Sequence, residues 1–122
     1  MLALFARHAR LHFASFCLLA LGACGGASTQ PTSDPQPSAT VNATNALRFT
    51  PTPVRITVGG TVTFTFGSVE HDLFFDNAPD GAPASITAPT SNTSVTRTFD
   101  RAGTFVFNCH IHPGMSGTVI VQ

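Results

Sequence analysis

Cys109, His112 and Met115 lie close together near the end of the chain, in the run Cys109-His110-Ile111-His112-Pro113-Gly114-Met115-Ser116-Gly117. A thiolate, an imidazole and a thioether form a soft donor set. Soft sulfur favours copper, above all Cu(I), while imidazole suits both oxidation states. Spacings of three and six let a single loop turn back so that the three side chains converge. Pro113 biases His112 toward an extended backbone, and Gly114 and Gly117 are expected to supply sharp turns back into a strand. A fourth ligand must come from another segment. Beyond the N-terminal stretch the remaining histidines are His71 and His110, and His71, at the mouth of an apolar run, is the candidate.

The elements that must position these residues read as strands. Phe105, Phe107 and Cys109 share one parity and Thr104, Val106 and Asn108 the other, so a strand here points the Cys109 sulfur inward with the two rings. Val54, Ile56 and Val58 alternate with Arg55 and Thr57. Val62, Phe64 and Phe66 alternate with Thr61, Thr63 and Thr65. Gly59-Gly60 between these runs predicts a hairpin or meander turn. Val95–Phe99 and Val119–Gln122 read as further strands, and Asp76–Pro89, rich in Asn, Asp, Pro, Gly and Ala, as a long irregular loop. No segment keeps a helical period for three turns with a cap. Several short strands with regular turns predict an all-β fold, a small β-sandwich or barrel.

The N-terminal part differs in kind. Met1–Arg10 carries Arg7, His8 and Arg10, and Leu11–Ala23 is apolar but shorter than the roughly 20 residues of a membrane span. That pattern is the one expected of a secretory signal peptide over 1–23. Leu21-Gly22-Ala23-Cys24 resembles a bacterial lipobox, which implies a lipid anchor on Cys24 and an exported protein, periplasmic or membrane-anchored and facing the periplasm or the cell exterior. Several acyl chains would hold it firmly, at about 0.8 kcal/mol per buried methylene. Residues 24–45, poor in apolar side chains and rich in Ser, Thr, Pro and Gln, read as a disordered tether. The folded domain is then expected over 46–122. Within it Cys109 has no disulfide partner, and an unpaired thiol in an exported domain calls for a metal or a reaction. From Cys24 onward Arg48, Arg55, Arg97 and Arg101 face Asp34, Glu70, Asp72, Asp76, Asp80 and Asp100. This weakly acidic balance offers no basic stripe for nucleic acid.

Cys-x-x-His-x-x-Met followed by Gly and a Val-rich last strand resembles the cupredoxins, with the short loop spacing of amicyanin. The similarity extends over Phe49-x-Pro51, Ile56-x-Val58-x-x-Gly60-x-x-Val62-x-Phe64, His71 and Gly103-x-Phe105-x-Phe107-x-Cys109. It implies a Greek-key sandwich binding one mononuclear copper, with His71, Cys109 and His112 as strong trigonal ligands and Met115 as a weak axial one. It also implies that the edge of His112 is the electron port, with Pro113, Gly114 and the loop residues Ala78, Pro79, Ala82, Pro83 and Ala84 as an apolar docking patch. Many relatives carry Asn after the upstream His, where its side chain ties the ligand loops; Asp72 stands there instead and leaves that tie in question.

Three functions compete. A monomeric one-electron carrier, docking redox partner proteins near His112, leads. A copper-handling module with the same ligands follows. An oxidase is suggested by Cys109-His110, which resembles a multicopper-oxidase motif, but Asn108 occupies the other flank and His pairs for further copper are lacking. His110 is therefore expected to be a hydrogen-bonding or outward-facing bystander.

Overall fold

The computed structural model describes residues 34–122. The expected signal peptide, the lipobox at Cys24 and the first part of the expected tether lie outside the described residues. Eight strands and no helix make up the described residues: β1 (Gln36–Thr44), β2 (Arg48–Thr50), β3 (Val54–Phe66), β4 (His71–Leu73), β5 (Ile86–Thr90), β6 (Thr93–Phe99), β7 (Gly103–Asn108) and β8 (Ser116–Val121). The all-β expectation is met as an open sandwich rather than a closed barrel.

β3 organises the sandwich. Its first half runs parallel to β8 (Val54↔Val119, Ile56↔Val121), and β8 pairs antiparallel with β7. Its second half pairs antiparallel with β6 (Thr61↔Thr98 to Phe66↔Thr93) and parallel with β1 (Ser38↔Thr61 to Ala43↔Phe66). The expected hairpin at Gly59-Gly60 is therefore a bend within one strand. Gly59, at φ 79°, lets the chain swing from one layer to the other without reversing. Val58, at the bend, faces solvent, while Val54, Ile56, Val62, Phe64 and Phe66 are buried.

The tether boundary also needs correction: residues 36–44, expected to be disordered, form β1. Composition hid it because its inward residues are small. Ala39, Val41 and Ala43 alternate with Ser38, Thr40 and Asn42, a weak apolar signal that becomes a strand once β3 supplies backbone partners. Val41 and Ala43 are buried. The predicted loop over Asp76–Pro89 likewise ends early, because Ile86 pairs with Leu73 in a short β4–β5 ladder.

Phenylalanine is the commonest residue of the core between the layers. Phe107 receives Phe49, Phe64 and Phe75 edge-on at centroid distances of 4.8, 5.3 and 6.0 Å, and Phe99 takes Phe75 and Phe105 in the same way. Such pairs add about 0.5–1.5 kcal/mol each beyond burial. The outer face of β1, β3 and β6 is of opposite character. Ser38, Thr61 and Thr98 form one cross-strand row, Thr40, Thr63 and Thr96 a second, and Asn42, Thr65 and Ser94 a third. Thr63 Oγ1 and Thr96 Oγ1 are 3.0 Å apart, and Ser94 Oγ donates to Thr65 Oγ1 at 3.1 Å.

Candidate metal centre

β7 and β8 stand beside each other from Gly103↔Val121 to Asn108↔Ser116, so the chain between Asn108 and Ser116 must reverse within a few residues. It does so around His112-Pro113-Gly114-Met115. Met115 N–H donates to the His112 carbonyl at 3.2 Å, and Gly114 sits at φ 83°. Proline second and a positive-φ glycine third are the requirements of a type II turn. Cys109 N–H donates to the Met115 carbonyl at 2.9 Å and closes the loop at its base. Gly117 differs from the expectation of a second sharp turn. It lies within β8 opposite Phe107, and a Cβ there would run into the Phe107 ring. Close approach of the aromatic ring, rather than backbone conformation, requires glycine.

Cys109 follows β7 with the inward parity expected of it and is buried, as are His71 at the start of β4 and Met115. An isolated antiparallel bridge, Phe74 with Asn108, joins the two ligand segments: each N–H donates to the other residue's carbonyl at 2.9 Å. His71, Cys109 and His112 thereby converge. His71 Nδ1 and His112 Nδ1 are 3.1 Å apart, Cys109 Sγ lies 3.5 Å from His112 Nδ1 and 3.9 Å from His71 Nδ1. Donors at these separations could together hold a first-row metal, which takes nitrogen at about 2.0 Å and sulfur at about 2.3 Å.

The surroundings select protonation states. Burial pushes His71 below the ordinary imidazole range and neighbouring His112 adds to the shift, against smaller upward pulls from the Thr44 backbone and Asp72. His71 is thus held neutral, as a ligand must be. Its Nε2 is buried without a hydrogen bond of ordinary geometry, although the Thr44 backbone acts on the ring. With Nδ1 turned to the cluster, Nε2 is the nitrogen left to carry the proton. For Cys109, burial pushes the thiol up; the Asp72 and His112 backbones favour the thiolate, while the Asp72 side chain opposes it. A bare thiolate is disfavoured here, and a bound soft cation is what would offset its burial. The donor set and its spacing fit copper.

Three residues outside the predicted set hold the site. Asp72, whose tie was in question, is buried, and its Oδ1 accepts the His110 N–H at 2.6 Å. The carboxylate therefore joins the two ligand segments. Asn45 donates to Ser68 Oγ at 2.8 Å and accepts from the Val69 N–H at 3.3 Å, fastening the turn that leads into His71. Asp76 bonds the His110 imidazole, which stacks on Phe74 with centroids 3.9 Å apart. His110 is thus outward and hydrogen-bonded, as expected. Asn45 and Asp76 carry no metal-ligand pattern, and no sequence signal pointed to them.

Part of the expected docking patch is drawn away from the ligand loop or into the core. Pro79 packs beside Gly103 and Gly81 against the Arg101 side chain, at the end of β7 remote from Cys109. Ala78 and Ala82 are half-buried against the core. Ile111, Pro113 and Gly114 are exposed beside half-buried His112.

An open all-β sandwich with a Cys-His-His cluster at one end defines a copper protein with a single-metal site. The model of copper binding proteins of the plastocyanin/azurin family matches residues 36–122, and the chain belongs to that family. Its matched region begins at β1. Among solved structures, a fern plastocyanin mutant is 27% identical with a TM-score of 0.58, over 68% of this chain and 99% of that one. A reduced amicyanin mutant is 26% identical, TM-score 0.58, over 70% and 82%. A Cu-containing nitrite reductase from Thermus scotoductus is 26% identical, TM-score 0.60, over 76% of this chain but only 25% of its own length. Comparison with curated proteins gives no match.

Proposed function

We propose that the protein is a one-electron carrier working outside the cytoplasm, in which His71, Cys109, His112 and Met115 would hold the copper. Bound copper supplies the one-electron couple. The chain supplies a cradle that resists rearrangement, and the observation that carries the reading is the donor triangle, already at metal-binding size. Three ties that need no metal hold it: the Phe74–Asn108 bridge, Asp72 to His110, and the backbone bond from Cys109 N–H to the Met115 carbonyl. A cradle fixed in this way changes little between oxidation states, which is the demand of electron transfer.

His112 lies under the exposed loop tip, so its ring edge is the proposed port. Ile111, 44% exposed, with Pro113 and Gly114 forms a small apolar rim for transient redox partners. His110, the residue an oxidase reading would need for a second metal, is already engaged by Phe74 and Asp76. Export through residues 1–23 and anchoring at Cys24 belong to the same proposal.

Addition of Cu(II) to the purified full chain tests it. An intense visible thiolate-to-copper band and a reversible couple are expected, and Cys109→Ser should abolish the band. Binding of Cu(I) alone, readily exchanged and without a reversible couple, would instead favour a copper-handling module. A colourless, weakly binding protein would end the electron-transfer reading.

A further inference from the structure

The buried carboxylate beside the site has a role that the tie alone does not exhaust. Asp72 is next in sequence to ligand His71, is 4% exposed, and bonds the backbone of His110, the residue next to ligand Cys109. Among the described residues the ion pair found is His110 with Asp76, on the exposed side, not one that neutralises Asp72.

We propose that Asp72 is a positioning residue that lowers the reduction potential of the copper couple by fixing a negative charge beside His71 and Cys109. The inference rests on the electron-carrier reading above. Counting charges gives its direction. Two neutral imidazoles and one thiolate around Cu(II) leave one net positive charge, and one added electron, reducing Cu(II) to Cu(I), brings the site to neutrality. With the Asp72 carboxylate included, the oxidised site is neutral and the reduced site carries a net negative charge. Burying that extra charge is unfavourable, so the carboxylate favours Cu(II). The same opposition to negative charge is felt by Cys109, whose thiolate the Asp72 side chain disfavours. An asparagine would keep the oxygen that accepts from His110 and lose only the charge.

The test is the midpoint potential of the copper-loaded full chain. Asp72→Asn should keep the visible band and raise the potential by at least a tenfold shift in the Cu(II)/Cu(I) ratio, about 59 mV for one electron. The rise should persist at high salt, because buried charges are screened little. Asp72→Glu, which keeps the charge, should lie nearer the parent value than Asp72→Asn does, and the exposed control Asp100→Asn, in the turn before β7, should move it much less. If Asp72→Asn does not fold, Asp72→Ser, which also removes the charge, is read on the same scale. A blue Asp72→Asn or Asp72→Ser protein with the parent potential overturns this inference and leaves the carrier reading intact. Absence of the band in the parent protein defeats the carrier reading itself.

Discussion

At the scale of single residues, two glycines that differ in purpose serve the same loop. Gly114 lets the backbone turn, and Gly117 leaves room for the tip of the Phe107 ring against β8. Gly117→Ala must push that ring aside in a filled core. The expected loss is about 1–3 kcal/mol, the usual cost of overpacking, measured by urea unfolding. Gly114→Ala puts a Cβ on a left-handed residue and should cost about 1 kcal/mol or more. It also disturbs the turn between His112 and Met115, so its visible band should shift, whereas Gly117→Ala should lose stability with the band position less affected. The ligands themselves were legible because soft donors at fixed spacing are scarce and because strand parity put Cys109 inside. The ties at Asp76 and Asn45 were not legible. A hydrogen bond across 34 residues of sequence, His110 to Asp76, leaves no local pattern.

At the scale of elements, β1 shows how composition misleads. Pro, Ser and Thr around small aliphatics look like a chain that cannot bury enough surface, and in isolation that is so. Docked between β2 and β3, the segment places Val41 and Ala43 in the core, and its last residue, Thr44, acts on the His71 ring. A chain beginning at Ala46 should therefore lose cooperative unfolding and the visible copper band together, followed by near-ultraviolet circular dichroism and absorbance. Removal of residues 1–33 alone should leave both in place. The bend at Gly59 was misread for a related reason. Alternation gives the face of each residue but not the direction of the chain, so two alternating runs around Gly-Gly fit a hairpin and a bent strand equally well. Only the partners, β8 for the first half and β6 for the second, decide between them.

At the scale of the whole molecule, the metal and the fold support each other. The described domain is small, and no disulfide is found among its residues, where Cys109 is the free thiol. A ligand that binds the folded state alone adds about 2.7 kcal/mol at a hundredfold excess over Kd. For a domain of this size each kcal/mol moves Tm by about 4–8 °C. Removing copper with a chelator should then lower Tm on the order of 10–20 °C, read by scanning calorimetry. Cys109→Ser should lie near the metal-free protein and respond little to added copper. The triangle of donors is held by backbone ties, so the metal-free form should still unfold as a cooperative unit.

The three hydroxyl and amide rows on β1, β3 and β6 bear on how the molecule behaves in a crowded solution. None of the residues in those rows is ionisable, so ionic strength has nothing in them to screen and pH nothing in them to titrate. Its hydration rests on neutral dipoles, which bind water without projecting a long-range field. Two such molecules meeting face to face are kept apart by the cost of stripping that water layer rather than by like-charge repulsion. Approach through these rows should therefore depend little on ionic strength in dilute salt.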